Sequence, residues 1–275
     1  VDDRSKAPFE MPDDLEPAEP IVPLDSSTVI VVRDDHGPLE VFMLERHIQS
    51  DFAGGAYVFP GGKLDSADSD PALAGIVDGW ETLAARMGED PDLVRALAVC
   101  AIRETFEEAG ILLARHEDGT PVHLDDPSWE DLRRALAARE LTAGELAKET
   151  GVRYAADLLQ FWQRWVTPVF APKRYDTRFF AAVMPEGQTP LHDDVETTAS
   201  TWVRPADAIA RGRSGQLVII FPTRKTLESL EGLETTASVF DAAAARSVQP
   251  VLPRFVVEDG EGRVYLPGDP NPHEP

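Results

Sequence analysis

Arg103-Glu104-Thr105-Phe106-Glu107-Glu108-Ala109-Gly110-Ile111 is the stretch that decides how this chain folds. At about 100° per residue, with Glu104 set at zero, Glu108 falls at about 40° and Glu107 at about 300°. The three carboxylates therefore share one side of a helix. Val99, Ile102, Phe106 and Ala109 fall on the opposite side, as a stripe that a core would cover. Asp90-Pro91 supplies a start signal and Gly110 a left-handed stop, so the spacing predicts a helix over about 92–109. Acids three and four positions apart repel one another and weaken the helix that carries them. A hard divalent cation such as Mg²⁺ or Mn²⁺ removes that repulsion, because it prefers carboxylate and water oxygens. The plainer alternative is a solvated acidic face.

Outward from this helix, short strands precede it and mixed elements follow. Thr28–Val32 and Val41–Leu44 are β-branched-rich runs separated by Asp34-Asp35-His36-Gly37-Pro38, which predicts a hairpin. A third strand is expected at Ala56–Phe59, stopped by Pro60-Gly61-Gly62. Trp80–Met87 is expected to be helical. Residues 127–165 are expected to form a second helical stretch, in which Thr142 to Glu145 has capping-box spacing. Phe179–Met184 and Thr201–Val203 are strand candidates. Pro205–Ala210 and Thr223–Leu230 are helix candidates, and Phe255–Val257 with Val264–Leu266 suggest a terminal hairpin. The pattern is that of an α/β (α+β) protein, a mixed sheet between helices.

Bulk composition excludes several classes. The 275 residues carry 26 Lys and Arg against 49 Asp and Glu, a net charge of −23. Such a field repels a nucleic acid, so none is expected as partner. A small polyanion remains compatible if local Arg, Lys or a cation offsets the carboxylates. No apolar run is long enough to span a membrane, and none is expected as a partner. Cys100 is the single cysteine, so an internal disulfide is excluded. It is expected to be a small buried residue. Residues 1–23 are acidic and Pro-rich, and are expected to form a disordered tail.

The helix segment resembles the second half of the Nudix box, Arg-Glu-U-x-Glu-Glu-x-Gly-U, where U is a bulky apolar residue. Upstream, Phe59-Pro60-Gly61-Gly62-Lys63-Leu64-Asp65 resembles the lead-in to the same box. Gly61 and Gly62 also let backbone approach a diphosphate closely. Two departures stand out. The acid expected six residues after Gly62 is Asp68, shorter than the usual Glu. Residues 69–102 then intervene where the family has seven residues, an insertion of 27. Thr105 is small for the first U position.

A split box of this kind resembles the Nudix motif 19 type of coenzyme A diphosphatase. Trp165-Val166-Thr167-Pro168, Arg174 to Phe180, Glu196-Thr197-Thr198 and Leu266 to Pro270 extend that likeness. The resemblance implies a Nudix fold with helical insertions at about 69–91 and 125–163, set in a domain over 24–258 and followed by a hairpin remnant and tail over 259–275. It implies hydrolysis of coenzyme A or acyl-coenzyme A to 3′,5′-ADP and 4′-phosphopantetheine, with Mg²⁺ or Mn²⁺ as the catalytic ion. Glu104, Glu107 and Glu108 would hold the metal. Arg103 and Asp68 would support them. Glu196 would add a carboxylate base, with Asp193 and Asp194 as rivals. Gly61, Gly62, Arg46, Lys63 and Arg178 would contact the nucleotide substrate, Arg174 being a further candidate. His47 receives no catalytic role. Lacking a Ser-Lys-Leu ending, the chain is expected in the cytoplasm. The insertion is a candidate lid or homodimer surface. Two other readings keep the scaffold: a diphosphatase for ADP-ribose, a dinucleotide or a nucleotide sugar, or a ligand-binding module without catalysis.

Overall fold

The computed structural model describes residues 21–48, 54–169, 171–193, 195–258 and 261–270. The expected tail (residues 1–20 of it) and Asp194 lie outside the described residues. In chain order the strands are β1 (Leu24–Arg33), β2 (Glu40–Arg46), β3 (Tyr57–Val58), β4 (Gly61–Lys63), β5 (Val77–Asp78), β6 (Ala114–His116), β7 (Val152–Ala155), β8 (Gln160–Val166), β9 (Tyr175–Val183), β10 (Thr197–Val203), β11 (Pro250–Val251), β12 (Arg254–Glu258) and β13 (Glu261–Tyr265). The helices are α1 (Trp80–Met87), α2 (Pro91–Ala109), α3 (Ser128–Ala137), α4 (Ala143–Thr150), α5 (Pro205–Arg213), α6 (Phe221–Glu228) and α7 (Thr236–Ala245).

A mixed sheet runs in the order β10-β2-β1-β9-β8-β11, with β3 on β2 and β4 on β1. The central pair β1 and β9 is parallel, and β2 and β8 flank it antiparallel. Alternation along β1 sorts its side chains into two layers. Val29 and Val31 join Phe42, Leu44 and Phe180 under α2, whereas Ile30 and Val32 join Val41, Met43 and Phe179 under α5 to α7. Both faces of the sheet are thus buried, which is why the strand reads as a nearly unbroken apolar run. The expected fold class, a mixed sheet between helices, is what the chain adopts.

The helix over 91–109 begins one residue before its expected start. Asp90 accepts from the Leu93 amide at 3.0 Å, Pro91 opens the first turn, and Gly110 ends it at φ 63°. Only part of the 69–102 insertion is a separate element. Its last twelve residues, 91–102, are the opening turns of the box helix itself.

The expected helical stretch over 127–165, and with it the helical insertion at 125–163, is corrected. Helix ends at Gly151, and Val152–Ala155 and Gln160–Val166 are strands. A bulge between Phe161 and Gln163 shifts the alternation of β8. Trp162 and Trp165, three apart as on a helix face, then both enter the layer beneath α6 and α7. The two inserts also meet: β5 pairs with β7, which pairs with β6. α7 was not expected from the sequence. The terminal hairpin is present as β12 and β13, which pair antiparallel.

Candidate active site

β4 runs antiparallel to β1, pairing Gly62 with Ser27 and Gly61 with Thr28. This brings the Gly-Gly turn against the second half of α2. The Gly61 amide donates to Glu108 Oε2 at 2.9 Å. Gly61 sits at φ 156°, and a Cβ there would lie 2.3 Å from the Ser27 carbonyl oxygen. A Cβ on Gly62 would lie 2.5 Å from the Glu104 carboxylate. Gly61 therefore demands glycine, because backbone approaches too closely for any side chain, whereas a side chain at Gly62 would displace the Glu104 carboxylate.

The acidic side of α2 is not a solvated face. Glu104 and Glu107 keep only 14% and 15% of their side chains exposed, and Glu108 is buried. Val99, Ile102, Phe106 and Ala109 line the core on the other side as expected. Thr105 is fully buried at the first apolar position. Its hydroxyl donates to the Ala101 carbonyl at 2.7 Å, so the small polar residue leaves no unmet bond.

Arg103 gathers the cluster. Its Nε and Nη2 donate to the two oxygens of Asp68 at 2.9 and 2.8 Å, a bidentate pair. Nη1 reaches Glu104 at 2.7 Å and Glu107 at 3.3 Å. Burial works against the Arg103 charge, yet its bonds to Asp68 and the field of Glu104 hold the guanidinium above its ordinary value. Asp68 is fully buried and also accepts from the Asp65 amide at 2.9 Å. It thus lies against Arg103, at the edge of the glutamate cluster. Cys100 is buried beneath the turn with its thiol 3.6 Å from the Gly62 carbonyl. Burial pushes that thiol well up, which suits a packing residue and not a nucleophile.

The remaining expected residues divide. Glu196 lies at the start of β10, where the His47 amide donates to its carbonyl at 2.8 Å. Its charge reaches both Glu104 and Glu108. Arg46 ends β2 on the same side of the sheet as Leu44. Its charge acts on Glu108, and its buried Nε has no acceptor among the described residues. Lys63 is exposed on β4, directly after the turn. Asp193 is a poor base: its carboxylate already accepts from the amides of Val195, Glu196 and Thr197 and from the Thr197 hydroxyl. It shapes the turn that presents Glu196.

The substrate contacts expected of Arg178 and Arg174 are corrected. Arg178 is 2% exposed and bonded to Asp25, Asp176 and Glu89. Glu89 precedes the first residue of α2, about 20 Å along the helix axis from Glu104. Arg174 donates to the backbone carbonyls of Thr167 and Ile21. Both guanidiniums are engaged by protein acceptors, and that of Arg178 is tied to the N-terminal end of α2 through Glu89. Arg133, on α3, was missed. It bonds the end of α2, and no local motif marks it.

Burial raises all three glutamates. Glu104 is pushed up by burial, opposed by Arg103, then raised further by Asp68 and Glu196. Glu108 is pushed well up by burial and Glu104, against the Gly61 amide. Glu107 is pushed up to about 7 by burial, opposed by Arg103 and reinforced by Glu104. In the unfolded chain Glu107 titrates near about 4.3. The native state therefore keeps its proton between those values, and the stability this gives is lost as pH rises through about 7. In metal-free buffer, Glu107→Gln is expected to gain melting temperature relative to wild type as pH rises from about 5 to about 8. A difference that stays constant over that range would contradict the shift.

Oxygen-only donors with surplus negative charge suit a hard divalent cation, so Mg²⁺ or Mn²⁺ fits this donor set. Among the described residues, no three His, Cys, Asp or Glu side chains are already gathered closely enough to ligate one ion. Arg103 instead occupies an oxygen of Glu104 and one of Glu107. No helix among the described residues is long and apolar enough to cross a membrane.

Comparison with known proteins bears on the same region. A family model described as the NUDT19 Nudix domain matches residues 86–228. Acyl-coenzyme A diphosphatase NUDT19 of Xenopus laevis is 27% identical over 221 residues, which is 66% of this chain and 56% of that protein. Its human counterpart is 26% identical over 271 residues, 83% of this chain and 71% of its own. The chain thus spans little more than half the length of the Xenopus relative. A crystal structure of a NUDIX hydrolase from Alicyclobacillus acidocaldarius superposes with a TM-score of 0.68 at 29% identity, covering 83% of this chain and 99% of that one. Since the matched span takes in α2 and just over half of all residues, the chain belongs to the Nudix hydrolases of the NUDT19 type.

Proposed function

We propose that this protein hydrolyses the diphosphate of coenzyme A or an acyl-coenzyme A, giving 3′,5′-ADP and the corresponding 4′-phosphopantetheine. The observation that carries the chemistry is the buried cluster of Glu104, Glu107 and Glu108 against the Gly61-Gly62 turn, with too little positive charge to balance it. Arg46, whose charge acts on Glu108 and whose Nε has no acceptor among the described residues, is a ready contact for a phosphoryl oxygen. The substrate rests on the name of the relatives, acyl-coenzyme A diphosphatase.

Glu104 and Glu107, by turning away from Arg103, would join Glu108 in holding Mg²⁺ or Mn²⁺, while Arg103 keeps its grip on Asp68. A bound divalent ion supplies charge neutralisation, polarises a phosphoryl oxygen and acidifies a water. The Gly61-Gly62 turn lies directly against Glu104 and Glu108, so a diphosphate bound at the glutamates would pass beside its backbone. Glu196 takes a proton from the attacking water as its oxygen bonds to phosphorus and the bridging P–O bond breaks. The leaving phosphate departs in line with the attack, and no covalent enzyme intermediate forms.

The test is incubation of the purified protein with coenzyme A and Mg²⁺ or Mn²⁺, with products identified by mass. Expected products are 3′,5′-ADP and 4′-phosphopantetheine. Cleavage of ADP-ribose or a dinucleotide in place of coenzyme A would keep the site and replace the substrate. No cleavage of any diphosphate with either ion would overturn the enzymatic reading.

A further inference from the structure

Arg133 belongs to α3, outside every motif of the box, yet it is 4% exposed and fully engaged. Its Nε donates to the Glu107 carbonyl at 2.9 Å and its Nη2 to the Leu191 carbonyl at 2.9 Å. Nη1 is steadied by Glu130 at 3.3 Å. The last carbonyls of a helix have no partner within it, and a cation there also meets the negative end of the helix dipole. At the end of α2 the Gly110 amide takes the Phe106 carbonyl, the Leu191 amide takes that of Ala109, and Arg133 takes that of Glu107.

The consequence lies in what Leu191 leads to. Two residues on, Asp193 accepts four hydrogen bonds and forms the turn that carries Glu196. One rigid guanidinium therefore joins the backbone of a box glutamate to the backbone of the Glu196 segment. Phe106 and Trp129, packed edge to face at 6.2 Å, back the same junction of α2 with α3. A lysine cannot reproduce the fork, because it has one nitrogen where Arg133 uses three.

We propose that Arg133 is a positioning residue that sets the Glu196 segment in register with the box glutamates. The inference rests on the reading of Glu196 and Glu107 given above. It gives α3, which lies outside the box, a part in the reaction.

The experiment compares Arg133→Met and Arg133→Lys with wild type, using coenzyme A and Mn²⁺. Arg134→Met is the control, since Arg134 is 72% exposed and pairs with Glu130 on its own helix. Both Arg133 variants are expected to lose about tenfold to a hundredfold in kcat, with KM changed by less than about twofold. In a double-mutant cycle, Arg133→Met should add little to Glu196→Gln, because the first acts through the second. In metal-free protein, hydrogen exchange should quicken at the amides of residues 188–197 in Arg133→Met while β1 and β9 stay protected. Additive losses, or unchanged exchange over that segment, would overturn the proposal. If Glu196→Gln leaves kcat unchanged while coenzyme A is still cleaved, the proposal falls with the base assignment and the diphosphatase stands. If wild type cleaves nothing, the proposed function falls by itself and exchange alone decides the role of Arg133.

Discussion

Glu108→Gln is expected to remove at least about a thousandfold of turnover while leaving the metal-free protein as stable as wild type or more so. These two effects have opposite signs because Glu108 is a buried acid whose charge the protein offsets only in part. Burial and the neighbouring Glu104 push its carboxyl well up, and the Gly61 amide recovers only part of that cost. Glutamine keeps an acceptor for the Gly61 amide, which bonds one oxygen at 2.9 Å, and has nearly the same volume. What it loses is the negative charge that a divalent ion would use. The measurement pairs kcat for diphosphate cleavage with melting curves taken without metal and with Mn²⁺. Wild type should gain melting temperature from Mn²⁺ and the variant should gain less, since an ion that binds only the native state stabilises it by mass action. Full turnover in Glu108→Gln would exclude Glu108 from the metal set. A strong loss of stability without metal would show instead that the carboxylate serves the fold.

The same residue marks where sequence reasoning reached and where it stopped. Helical spacing placed Glu104, Glu107 and Glu108 on one side of α2 and four apolar residues on the other, and both sides are found there. Spacing could not say that the acidic side would be buried. That depends on β4 pairing with β1, a contact between residues 26–28 and 61–63 that sets the Gly-Gly turn on the helix. Asp68 was legible by counting from Gly62, because the first part of the box is local in sequence. Its bond to Arg103 spans 35 positions and needed the insertion to fold back. Arg133 was illegible for the same reason: its partners are carbonyls of Glu107 and Leu191, and a carbonyl leaves no trace in a sequence. β8 was misread because its bulge gives Trp162 and Trp165 the spacing of a helix. Arg178 was misplaced because an arginine near a diphosphatase motif and an arginine in a buried ion network look alike until their neighbours are known.

Arg178→Met should therefore unfold the protein far more readily than it should impair substrate recognition. Arg178 and Arg164 lie among Asp25, Glu89 and Asp176, two cations among three acids. Among the described residues, removing Arg178 leaves Asp25 without an ion-pair partner and Glu89 with Arg164 alone, at 3.5 Å. Breaking a buried pair by deleting one member typically costs about 3–5 kcal/mol, because the surviving charge stays out of water without compensation. The loss should be larger still in effect on the insertion, since Glu89 joins α1 to α2 and Arg178 ties that junction to β9. Denaturant unfolding of wild type, Arg178→Met and Glu89→Gln would read it. The arginine variant should lose the most, because it strands Asp25 and leaves Glu89 and Asp176 to share Arg164, and Glu89→Gln should lose less, because it removes a charge from the acidic side of the network. KM of the folded fraction should stay close to wild type, because the network sits at the opposite end of α2 from Glu104. A raised KM with unchanged stability would return Arg178 to the substrate and place the nucleotide along the full length of the helix.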